Sequence, residues 1–152
     1  TGSLDRSTWI DSGTYPLPYA TKYDGTNSTL FIHEQGKNDD GSTLTSFIES
    51  GDFDIGDGDD ILFVNKLIPD FKNQVGNVNI SLKSRYFPTD TQTTKGPFFY
   101  STSSSKINVR TRGRQIAVRL ESNGYNNINN DALDEDWRLG TLRFEVQPDG
   151  KR

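Results

Sequence analysis

Nine residues carry the densest set of potential ligands in this chain: Asp52-Phe53-Asp54-Ile55-Gly56-Asp57-Gly58-Asp59-Asp60. Carboxylates at alternate positions followed by Asp-Gly have the look of a calcium loop, because a hard cation needs several oxygens at about 2.5 Å and a glycine to turn the chain. The match breaks in two places. The third ligand position of an EF-hand loop is taken by Gly56, and Phe63 stands where the closing bidentate glutamate belongs. The residues therefore favour an acidic turn whose carboxylates Asp52, Asp54, Asp57 and Asp59 accept backbone N–H bonds, with a non-EF calcium site as the alternative.

The other reactive groups are sparse. His33 is the sole histidine. No Gly-x-Ser-x-Gly elbow accompanies it, and His33-Glu34 lacks the second histidine of a zinc-protease helix, so a hydrogen-bonding strand histidine is expected. Asp and Glu total 21, so close carboxylate pairs arise by chance and none is marked out for glycoside hydrolysis. Cysteine is absent, which removes disulfides, thiolate zinc sites and cysteine nucleophiles. The expectation is a non-enzymatic protein without a cofactor.

Arg110, Arg112 and Arg114 share one face of a regular strand, with Arg119 nearby. Such a cluster suits phosphate binding. It equally suits bidentate pairing with carboxylates, and Glu121, Asp134, Glu135 and Asp136 lie close in sequence. The salt-bridge role is preferred. Trp9, Trp137 and the tyrosines offer surfaces for stacking on sugars, although Trp137, just before a strand, suits a core or interface role better. Asn27-Ser28-Thr29 and Asn79-Ile80-Ser81 fit the glycosylation pattern, a match that twelve asparagines produce by chance.

The elements that position these residues follow a period of two. Val78, Ile80 and Leu82 alternate with polar residues, as do Leu142, Phe144 and Val146. Ile107 and Val109 occupy odd positions, whereas Ile116, Val118 and Leu120 occupy even ones. A one-residue shift exchanges the faces of a strand, so Gly113 marks a bulge or a break. The nearly continuous apolar run Ile61–Ile68 predicts a strand buried on both faces. Turn signals such as Asp24-Gly25, Asp40-Gly41, Gly76-Asn77 and Asn123-Gly124 recur at short intervals. About ten strands are expected, with one short helical stretch near Asn130–Trp137 and a polar hairpin or arm within Thr89–Lys106.

The predicted fold is all-β: a β-sandwich or barrel-like C-terminal domain over residues 43–152, preceded by propeller-blade-like strands in residues 1–42. The chain begins with Thr1 and is expected to be the C-terminal part of a longer polypeptide. Hydrophobic residues make up only 31% of the chain, against a usual ~45–50% apolar content when glycine is counted, while nine Phe, six Tyr and two Trp argue against disorder. That combination fits thin β layers or burial against neighbouring subunits. No run of about 18 apolar residues is present, so no membrane-spanning helix is expected. Residues 1–100 hold 8 basic and 14 acidic side chains and residues 101–152 hold 9 and 7. A domain that grips DNA would show a concentrated basic excess.

The ordered set Phe47-Ile48-Glu49-Ser50-Gly51-Asp52-Phe53-Asp54-Ile55-Gly56-Asp57-Gly58, Ile68-Pro69-Asp70, Arg112-Gly113-Arg114-Gln115, Glu121-Ser122, Trp137-Arg138-Leu139-Gly140 and Pro148-Asp149-Gly150-Lys151-Arg152 resembles the C-terminal region of virion structural proteins from short-tailed bacteriophages. Leu30-Phe31-Ile32-His33-Glu34-Gln35-Gly36 is similar to the blade segment that precedes that region. The resemblance spans residues 29–152 and points to tail nozzle or tail tubular proteins. It implies a propeller-based subunit that assembles with identical copies into a ring, typically a hexamer, and continues the DNA channel below the portal. It also implies contacts with other tail proteins, transient passage of DNA without sequence-specific binding, and localisation in the virion. Arg112, Arg114, Trp137 and Arg138 are the expected interface residues. The stretch Asn126–Asp136 is longer here than in the family pattern and is expected to be an exposed, variable loop. A receptor- or carbohydrate-binding module of a tail appendage is the alternative; a calcium-stabilised secreted adhesin is a third reading.

Overall fold

In the computed structural model, residues 6–39, 41–55, 58–123 and 134–151 are described. They are all-β, with twelve strands in three sheets and one two-stranded ribbon. The chain divides into two compact units, Thr1–Gly36 and Lys37–Arg152.

The first unit is an antiparallel meander of β1 (Thr8–Ile10), β2 (Tyr19–Tyr23) and β3 (Ser28–Ile32), with β2 in the centre. Its tight hairpin follows from Asp24-Gly25. Oδ1 of Asp24 accepts the N–H groups of Thr26 and Asn27 at 2.8 and 2.7 Å, and Gly25 adopts φ +97°. A side chain that mimics a backbone turn, followed by a residue free to take positive φ, is what a tight reversal requires.

The second unit opens with the ribbon β4 (Asn38–Asp39) and β5 (Ser42–Thr43). Two antiparallel sheets follow. One has the order β10 (Ile107–Gly113), β7 (Asp60–Val75), β12 (Asp136–Lys151). The other has the order β6 (Phe47–Glu49), β11 (Gln115–Ser122), β8 (Val78–Arg85), β9 (Thr93–Tyr100). Alternate residues of both sheets, among them Leu62, Val64, Val78, Ile80, Leu82, Ile107, Val109, Ile116, Val118 and Leu120, form a single buried cluster. Phe71, Trp137, Leu142, Phe144 and Val146 pack on it, partly buried. The alternation read for β8, β10, β11 and β12 is therefore the alternation of core and outer faces.

Gly113 is the break that the parity change predicts. It ends β10, and after Arg114 the chain continues as β11 in the other sheet. A methyl group at Gly113 would meet Cβ of Ser84 at 3.0 Å and the carbonyl of Arg85 at 3.1 Å, so the corner has no room for a side chain.

Three local expectations are corrected. Ile61–Ile68 is not buried on both faces: Leu62, Val64 and Leu67 are buried, while Ile61, Phe63 and Ile68 are half-exposed. The register against β12 slips by one residue at Asn65, with Val64 opposite Val146 and Lys66 opposite Glu145. This bulge exchanges the faces and makes a one-sided strand read as a continuous apolar run. Of the polar hairpin or arm expected within Thr89–Lys106, the arm is corrected: the segment supplies β9, which pairs antiparallel with β8 as the second strand of a hairpin and the edge of its sheet. Of the helical stretch expected at Asn130–Trp137, residues 130–133 lie outside the described residues; Asp136 and Trp137 open β12.

Candidate functional site

The acidic stretch is organised by its neighbours in space. Asp52 pairs with the guanidinium of Arg85 at the end of β8 and accepts Nε2 of Gln92 at 2.9 Å. Arg85 also donates Nε–H to Gln115 at 2.9 Å. Phe53 is locked to Ile116 by two backbone hydrogen bonds of 2.9 and 3.0 Å and stacks edge-on against Phe144. Asp54 lies over the turn: a methyl group at Gly58, which has φ +78°, would sit 3.1 Å from its Oδ2. Asp59 is exposed, and Asp57 lies outside the described residues. Among the described residues no three His, Asp or Glu side chains converge on a point where a cation could sit.

The arginines part company. Arg112 projects from the outer face of β10 and forms an ion pair with Asp149 of β12. Of the acidic residues expected as partners, Glu121 does pair with an arginine of the cluster, Arg119, whereas Asp136 pairs with Lys37 at 2.8 Å and Asp134 with Asn38. Arg114, at the corner between the sheets, lies over the ring of Phe87 at 5.5 Å. Arg110 has φ +52° and falls where β10 slips in register against β7, yet it stays with Arg112 on the exposed side of β10, and only Arg114, beyond the end of the strand, leaves that face. Arg138 is exposed on β12 and lines a shallow cleft with Asp70 and Lys72.

Trp137 packs against the second unit's own strands. Its indole N–H donates to Oγ of Ser122 at 3.1 Å and its ring meets Phe71 edge-on at 5.9 Å. His33 follows β3; its ring lies 4.6 Å from that of Trp9, and its buried Nε2 has no hydrogen-bond partner among the described residues.

The expected Arg119–Glu121 pair belongs to a larger ladder, whose members Glu49, Lys83 and Phe47 were not anticipated. On the outer face of the four-stranded sheet, Arg119 of β11 bonds Glu49 of β6 at 3.0 Å and Glu121 at 2.9 Å, and its guanidinium lies 3.9 Å from the ring centroid of Phe47. Lys83 of β8 completes the ladder through Glu49. Hydrogen bonds from Lys83, then Arg119, hold the Glu49 carboxyl below its ordinary range, and Arg119 does the same for Glu121. Alternation in β11 places Arg119 and Glu121 on one face, a signal present in the sequence. The pairing with Glu49, seventy positions away, is not.

In the first unit the register places Ile10, Tyr19 and Ile32 side by side on one sheet face, together with Leu30 and Tyr23. Of these, Ile10, Tyr23, Leu30 and Ile32 are exposed, Tyr23 and Leu30 at 62%. The opposite face carries Phe31, covered by the guanidinium of Arg6 at 3.6 Å, and buried Ala20. Among the described residues no helix is long and apolar enough to cross a membrane. In comparisons with known proteins, no family model and no curated protein matches this chain.

Proposed function

We propose that this chain is a non-catalytic structural element of the tail of a short-tailed bacteriophage, a nozzle- or tube-type ring subunit that lines or closes the DNA exit channel. The observation that carries this reading is the open apolar face of the first unit, with Ile10, Tyr23, Leu30 and Ile32 presented together. Contiguous exposed apolar surface on a folded sheet fits a protein that is completed by its neighbours. The three-stranded meander is consistent with a propeller-type blade, and the shared core of the two larger sheets is consistent with a β-sandwich. Ring partners would be identical subunits, hexameric by resemblance, together with other tail proteins. The net charge of −4 suits DNA that passes without being held.

The alternative, a receptor- or carbohydrate-binding module of a tail appendage, draws on the exposed rings of Trp9, Tyr15 and Tyr23. Immuno-electron microscopy of source particles with an antibody against residues 43–152 separates the two. Label at the narrow end of a short tail is expected. Label on peripheral fibres favours the binding module, and label on cells that carry no particles rules out both viral readings.

A further inference from the structure

In an acidic protein, one cleft of about 320 Å³ concentrates positive charge. Four cations line it, Arg85, Lys95, Arg110 and Arg112, against one carboxylate, Asp90; the remaining lining residues, Thr111 among them, all carry hydroxyl groups. Two of the cations are already neutralised, Arg85 by Asp52 and Arg112 by Asp149. Among the described residues, Lys95 and Arg110 are not. Nζ of Lys95 donates to the backbone carbonyl of Arg110 at 2.6 Å, which satisfies a hydrogen bond but leaves the charge uncompensated. Arg110 has no carboxylate partner among the described residues. Asp90 has one oxygen turned away to the N–H of Phe87 at 3.0 Å.

Two further features single out this cleft. Thr111 is only 1% exposed, and its hydroxyl has no hydrogen-bond partner among the described residues. A buried polar group left unmatched is costly and calls for a reason. Arg110, next to it, holds φ +52°, a conformation that bulky L residues avoid and that is retained where a site requires it.

From this convergence we infer that the cleft is a binding site for a phosphate-type oxyanion, either free or as the monoester of a small molecule. A tetrahedral oxyanion accepts hydrogen bonds from several directions at once. That matches a point charge from Lys95, the fork of Arg110 and the hydroxyl of Thr111 better than a single planar carboxylate would. The site belongs to the second unit alone and does not depend on the tail assignment.

The test is an NMR titration of the full chain with inorganic phosphate, against sodium chloride at equal ionic strength. Saturable one-to-one shifts confined to the amides of β9, β10 and the loop after β8 are expected. Arg110→Asn removes the charge while retaining a residue that tolerates positive φ, and Thr111→Val removes the hydroxyl while keeping the shape. Each variant should remain folded and weaken phosphate about tenfold or more, the size of one charge-assisted hydrogen bond. Shifts reproduced by chloride, shifts spread over the surface, or wild-type affinity in Arg110→Asn would overturn the assignment.

Discussion

The indole N–H of Trp137, on β12, donates to the hydroxyl of Ser122, on β11, and so joins the two sheets of the second unit by a side-chain hydrogen bond. Ser122 in turn shares a 2.8 Å hydrogen bond with Ser46, just before β6. Trp137→Phe should cost about 1 kcal/mol, the net worth of such a bond. Trp137→Ala should cost about 2–3 kcal/mol, less than for a fully buried ring because Trp137 is only partly covered. Urea unfolding measures both. An unchanged midpoint in the alanine variant would show that the ring contributes nothing to the fold of the isolated chain.

The ladder on the outer face has a sign that pH reveals. The folded chain holds the carboxyls of Glu49 and Glu121 below their ordinary value near 4.5. A depressed folded pKa contributes stability that is present above the unfolded value and is lost as pH falls through the lower, folded value. Stability should therefore drop below about pH 4.5, and Glu49→Gln should flatten that drop while changing little at pH 7, where exposed pairs contribute only about 0.2–1 kcal/mol. Unfolding midpoints from pH 3 to 7 for both proteins provide the comparison; parallel curves would remove Glu49 from the account.

Two glycines in the second unit should respond very differently to alanine. Gly96 has φ +121°, and a methyl group there would lie 2.8 Å from the carbonyl oxygen of Ile80. Gly41 has φ +78° with nothing within 4 Å. Gly41→Ala should cost only the local strain, about 1–2 kcal/mol, whereas Gly96→Ala adds an overpacking term of about 1–3 kcal/mol. Thermal melting of the two variants should place Gly96→Ala clearly lower, and equal melting temperatures would show that β9 yields to the methyl group.

If the open face of the first unit is a contact surface, a charge in its middle should dissolve the contact without unfolding the sheet. Leu30→Lys is the sharpest probe, since Leu30 is 62% exposed and its replacement disturbs little packing. Sedimentation velocity at rising protein concentration should show association in the parent chain and a shift toward monomer in the variant. An identical distribution in both would move the contact elsewhere.

The strands that alternate cleanly were legible from residue order alone, because Val78-Asn79-Ile80-Ser81-Leu82 leaves one arrangement that buries the apolar set. Gly113 was legible for the same reason, through the parity change that follows it. The bulge at Asn65 was not, because a slip that exchanges faces within an apolar run looks like burial on both sides. Nor was the partner of Arg112. Near residues in sequence were the natural candidates, but antiparallel pairing of β7 with both β10 and β12 sets Arg112 within reach of Asp149. Such long-range choices depend on which strands become neighbours, and local pattern is silent on that. Asp52 illustrates the same limit: its carboxylate belongs to Arg85 rather than to the turn in its own sequence.

The central place of β7 has a consequence in time. One of its edges is closed by β10 and the other by β12, yet β7 ends at Val75 and β12 begins only at Asp136. During synthesis the long edge of β7 therefore waits, unpaired, until most of the second unit has been made. Non-local pairing of this kind folds slowly, and an unpaired edge is a template for the wrong strand. The charged and amide side chains at its bulge, Asn65 and Lys66, later clasp Glu145 of β12 at 2.9 and 2.8 Å. Until then they place a kink and a charge in the middle of that edge, which hinders a second nascent chain from adding to it before β12 arrives.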